Sequence, residues 1–113
     1  MTSATRFEFS WAKAEYLLTY KTSQGVGGDK QSFWRIYMGF ESAEAIREAI
    51  LSKVSPLMLQ FQGQNNFGYL YRTYVRITGL HGLSRRIRTV WIIRFNEDIA
   101  RFVTAVPDSL GGL

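Results

Sequence analysis

The chain changes its hydrophobic period near its midpoint. Apolar residues recur at helical spacing in the first half and alternate in the second. Trp11, Ala14, Leu17 and Leu18 predict a helix over residues 11–20 that turns them toward the core, with Ser10 placed to cap it. Phe33, Ile36, Tyr37 and Phe40 form a second stripe and predict a helix over residues 30–38, ended by Gly39. Ala45, Ile46, Ala49 and Ile50 predict a third over residues 43–53, capped by Ser42 and closed off by Pro56. Residues 7–9 read as a short strand or an extended lead-in.

In the second half, residues 62–68 are rich in Gly, Gln and Asn and read as a loop. Residues 69–78 alternate as a half-buried strand does, with Thr73, Val75 and Ile77 on one face and Arg72, Tyr74 and Arg76 on the other. Further strands are expected over residues 85–95 and 99–106, with turns at 79–82 and 96–98. Helices followed by strands predict an α+β fold: two or three N-terminal helices packed on one face of a C-terminal antiparallel sheet, a β-meander, in a single domain over residues 1–113. Trp34 and Trp91 are expected as core or sheet anchors. Turns centred near His81–Gly82 and near Glu97 would set Arg76 across from Arg88, and Thr104 across from Val90, itself across from Tyr74. Arg76, Arg88, Tyr74 and Thr104 would then share a face.

Charge gives that face its interest. The formal net charge is +5, and it is uneven. Residues 1–68 carry seven Lys or Arg against six acids, whereas residues 69–113 carry seven Arg against three. From Arg72 to Arg94 there are six arginines and no acid, a local field that favours RNA or another polyanion. Arg72, Tyr74, Arg76 and Arg94 are the candidate substrate contacts, since guanidinium forks grip phosphate and tyrosine stacks on bases. The chain has no cysteine and a single histidine, His81, so neither a disulfide nor a conventional metal centre is expected, nor any cofactor. No apolar run reaches membrane-spanning length and no signal peptide is visible, so a cytoplasmic protein without membrane contact is expected. The glycine-rich stretch at residues 25–32 is not a phosphate loop, because Asp29 separates Gly28 from Lys30 and no buried strand precedes it. Lys30 at a helix start still favours an anion. His81, in a turn, reads as exposed and is an outside candidate for proton transfer.

Ala14-Glu15-Tyr16-Leu17-Leu18, residues 28–34 with Gly39-Phe40, Arg88-Thr89-Val90-Trp91-Ile92-Ile93 and residues 102–107 resemble, in that order, a family of small bacterial domains. That family occurs free-standing and as C-terminal modules of polymorphic toxins. It is similar to the barnase, EndoU and RelE-like (BECR) ribonuclease superfamily, which cuts RNA without metal using basic and hydroxyl side chains. The resemblance implies catalytic roles for Lys30, which opens the second helix, for Arg88, which leads into Val-Trp-Ile, and for Thr104 in the last strand. It also implies a small cognate antitoxin as partner. Gln31 and Val106 depart from the family pattern, which has alanine and commonly an aromatic there. Two functions are carried forward: a metal-independent RNA-cleaving domain of toxin type, and a non-catalytic basic module that binds RNA or an acidic protein.

Overall fold

The computed structural model describes residues 6–19 and 31–108. Strand β1 (Arg6–Glu8) leads into helix α1 (Trp11–Thr19). A π-helical segment (Ser32–Tyr37) and helix α2 (Ala43–Leu51) follow. Then come β2 (Gln60–Gln64), β3 (Gly68–Thr78), β4 (Ser84–Arg94) and β5 (Ile99–Pro107). The expected α+β order, helices before sheet, is what forms. The sheet has five strands in the order β1-β5-β4-β3-β2. The antiparallel meander β3-β4-β5 is its centre, and β1 makes the sheet mixed by running parallel to β5.

Both expected caps form. Ser10 Oγ accepts from the Lys13 N–H at 3.2 Å, and Ser42 Oγ from the Ala45 N–H at 3.1 Å. Ala14, Leu17 and Leu18 are buried as their spacing implies, but Trp11 is 55% exposed. It sits in the first turn, beneath the Arg47 guanidinium 4.9 Å from its ring, and Arg47 Nε is held in turn by the Phe9 carbonyl. The second stripe is also rotated. The Met38 N–H bonds to the Phe33 carbonyl, five residues back, and this wider turn points Trp34 and Met38 inward while Ile36 and Tyr37 face out. Gly39 has φ +81°, as a helix-ending residue should. Lys30 and the glycine-rich stretch at residues 25–28 lie outside the described residues.

Residues 60–64, expected in part as loop, form β2 instead. Its register against β3 shifts between Phe61 and Gly63, a bulge that leaves Gln62 as the extra residue. Asn65 Oδ1 then accepts from the N–H groups of Phe67 and Gly68, a turn within the stretch expected as loop. The helices cover one sheet face. Beneath them Trp91 is fully buried among Phe7, Phe9 and Phe102, and Phe9 stacks on Phe102 at 3.8 Å. Trp91 Nε1 donates to Thr89 Oγ1 at 2.8 Å, which donates to the Thr73 carbonyl at 3.0 Å.

Candidate functional site

The sheet face turned away from the helices carries Arg72, Arg76, Arg86 and Arg88, whereas Arg85, across from Ile77, lies on the helix side with its guanidinium over the rings of Phe33 and Tyr37. The β3–β4 turn closes with the Gly79 N–H on the Leu83 carbonyl, at 2.8 Å, and Gly82 takes φ +82°. This centres the turn on His81, slightly earlier than expected, and slides the register by two residues. Arg76 therefore lies across from Arg86 rather than Arg88, Arg88 faces Tyr74, and Val90 faces Arg72 rather than Tyr74. A slip of two residues preserves the face, so Arg72, Tyr74, Arg76 and Arg88 remain together.

Thr104 reaches the same face through an irregularity. Ala100 and Phe102 point into the core, so simple alternation would bury Thr104 as well. The β4–β5 register shifts between Val90 and Trp91, leaving Val103 as an extra residue. Beyond it Thr104 faces Val90 on the open side and Ala105 returns to the core. Bulges re-aim side chains in this way. Three ladder rows result: Arg76 and Arg86; Tyr74, Arg88 and Val106; and Arg72, Val90 and Thr104. Arg88 is central. Arg72 and Thr104 are its diagonal neighbours, about 7–8 Å away between backbones, within reach of a guanidinium.

The cations are not equivalent. Arg86 Nε pairs with Asp108 at 3.3 Å, and the Asp108 N–H donates to the Arg86 carbonyl. The Arg86 guanidinium lies 4.3 Å from the Tyr74 ring centroid, and that of Arg72 lies 5.7 Å from it. Arg101 pairs with Glu8 and Glu97. Among the described residues no ion pair engages Arg72, Arg76, Arg88 or Arg94. The Nε atoms of Arg72 and Arg88, and that of Arg85 on the helix side, are buried without a hydrogen-bond partner. Such donors are costly to leave unpaired and favour an anionic acceptor.

Arg94 is not part of this cluster. It lines a recess of about 200 Å³ with Glu8, Ser10, Lys13, Arg101 and Val103. A larger groove of about 430 Å³ lies alongside, lined by Ser10, Ala12, Lys13, Tyr16, Val103 and Thr104. Sequence reasoning missed Lys13 and Arg86 as parts of this region. Lys13 could have been found as the exposed cation one turn into a capped helix. His81 lies elsewhere: its ring packs on Gly39, so closely that a Cβ there would fall 2.7 Å from it. Among the described residues no three His, Asp or Glu side chains cluster as metal ligands would, and no helix is long and apolar enough to cross a membrane.

A basic, arginine-lined sheet face backed by helices defines this small α+β domain. Residues 12–109 match the family described as a domain of unknown function, DUF6883, and the chain belongs to it. The fold is similar to that of a chain in the contact-dependent growth inhibition toxin–immunity protein complex from Klebsiella pneumoniae 342. That likeness has a TM-score of 0.64 and 14% identity over 88% of this chain and 92% of the other. No curated protein matches.

Proposed function

We propose that this domain is a metal-independent, RNA-cleaving module of toxin type. The observation that carries the reading is the pair of guanidinium donors on Arg72 and Arg88, unpaired beside Tyr74 and the re-aimed Thr104. In the reaction the 2′-hydroxyl attacks the adjacent phosphorus, forming the P–O2′ bond as the P–O5′ bond breaks. The proton lost from the 2′-oxygen is matched by one gained at the 5′-oxygen, leaving a 2′,3′-cyclic phosphate and a 5′-hydroxyl. Arg88 and Arg72 neutralise the developing charge on the phosphorane, and Thr104 donates to a non-bridging oxygen. Lys30 supplies a further cation by resemblance. Arg76 holds a neighbouring phosphate, and Tyr74, its ring covered by the Arg72 and Arg86 guanidinium groups, helps orient the phosphate through its hydroxyl. The fold likeness to a chain of a toxin–immunity protein complex supports a cognate protein partner, and a basic face favours an acidic one.

Purified protein incubated with RNA in EDTA should yield cyclic-phosphate ends. Arg88→Ala and Thr104→Ala should each lower the rate by about 10²-fold, the usual cost of removing one charge-stabilising donor. Intact RNA after long incubation with folded protein would overturn the reading.

One observation favours the second reading, a binding module without turnover. Asp108, the acid beside the arginine rows, is tied to Arg86, and His81 packs on Gly39 away from them. That reading expects RNA bound and uncut by wild type.

A further inference from the structure

We infer that the groove between α1 and β5 is a subsite for the nucleotide next to the phosphate held by Arg88 and Arg72. The inference rests on the RNA-binding reading of the arginine face and extends it to substrate length. Three features carry it.

The first is continuity. Thr104 belongs to both places: it shares a ladder row with Val90 and Arg72, and it lines the groove with Val103. A ligand atom held by Thr104 is therefore already at the mouth of the groove. The second is size and lining. A volume of about 430 Å³ falls within the range that holds small organic ligands. Val103, Ala12 and the ring of Tyr16 give a base apolar surface, while Ser10 and Lys13 supply polar ends. The third is the charge beyond it. The adjoining recess shares Ser10, Lys13 and Val103 and adds Arg94 and Arg101. Arg101 and Glu8 neutralise each other there, which leaves Lys13 and Arg94 as the cations without a described ion-pair partner. Phosphates along a single strand would meet Arg88, then Lys13 and Arg94, with one base lying in the groove between. The bulge at Val103 makes this path possible, because the extra residue opens the β5 wall while keeping Thr104 on the arginine side.

The arrangement explains why Arg94, expected as a substrate contact, sits apart from the cluster. It takes a phosphate one nucleotide further along. It also defines the ligand as a single strand of at least two nucleotides, since a duplex would not leave a base free to enter the groove.

The test measures binding and cleavage separately. A fluorescent abasic deoxyribose phosphate, which offers Arg88 a phosphate and the groove no base, and a fluorescent tetradeoxynucleotide, which has no 2′-hydroxyl to attack, are titrated by anisotropy against the wild type and against Lys13→Ala and Ala12→Trp. Both positions are exposed on α1, so the variants should stay folded, as circular dichroism will confirm. The tetranucleotide should bind wild type at least 10-fold more tightly than the abasic phosphate. Each groove variant should abolish that gain while leaving the affinity for the abasic phosphate within 2-fold. Arg88→Ala should weaken both probes alike. An undiminished gain in Ala12→Trp and Lys13→Ala overturns the subsite, whatever the enzyme does to cleavable RNA. Loss of the gain in those variants, with a wild type that never cuts ribo-oligomers, upholds the subsite and removes the cleavage reading instead.

Discussion

Thr89 connects two strands and the largest ring of the core. Its hydroxyl accepts from Trp91 and donates to the Thr73 carbonyl, in a region with no access to water. Thr89→Val keeps the shape and removes both bonds, leaving the buried indole N–H without an acceptor. Urea unfolding should show a loss of about 1–3 kcal/mol, the cost of an unsatisfied buried donor. Gly79 is a second sensitive point, for steric reasons. A Cβ there would lie 2.2 Å from the Met38 carbonyl oxygen, which also accepts from the Leu80 N–H. Gly79→Ala must push the β3–β4 turn off the end of the π-helical segment. A loss of about 1–3 kcal/mol is expected by the same assay, typical of overpacking. Gly82→Ala, by contrast, meets nothing within 4 Å and is strained only through its positive φ.

At the scale of elements, what could be read from sequence follows from how local each signal is. The caps at Ser10 and Ser42 depend on neighbours within a turn and formed as spacing implied, whereas of the expected α2 stripe Ile46 and Ile50 are buried, Ala45 and Ala49 only half-buried, and Ala43 is buried in addition. The alternation of Thr73, Val75 and Ile77 gave the strand faces correctly for the same reason. What failed depended on geometry that spacing does not encode. The π-helical turn rotated Ile36 and Tyr37 outward, and no residue type announces such a turn. Register depended on where a turn closes, and it closed at Gly79–Leu83. The arginine face survived that error because the slip was even. Thr104 was placed across from Val90 correctly, but without the bulge that makes the placement possible. Lys13 was overlooked because the groove it lines joins two elements far apart in sequence. Among the elements, α2 carries the simplest test. Ser42→Ala removes its only described side-chain cap and should lower stability by about 1 kcal/mol, read as a shifted urea midpoint with an unchanged slope.

For the molecule as a whole, the uneven charge has a measurable signature. Each phosphate neutralised on single-stranded RNA adds about −0.7 to the slope of log affinity against log salt. Arg76 is exposed, has no described ion pair, and lies one row from Arg88. Arg76→Ala should therefore flatten the slope by about 0.7 with little effect on which sequence is preferred, and fluorescence titrations over a salt series will measure this.

The pairing of β1 with β5 also determines when this domain can fold. Phe9 stacks on Phe102, and Glu8 pairs with Arg101, 93 residues further along the chain. Neither β1 nor the wall of aromatic rings around Trp91 can be completed until β5 has been synthesised. Contacts this distant in sequence close slowly and late. A nascent chain still attached to the ribosome before residue 102 would hold Phe9 and Trp91 uncovered and lack Thr104 altogether. The arginine face, whatever it acts on, therefore matures only after translation has passed the last strand, and a partner made nearby would have that interval in which to meet it.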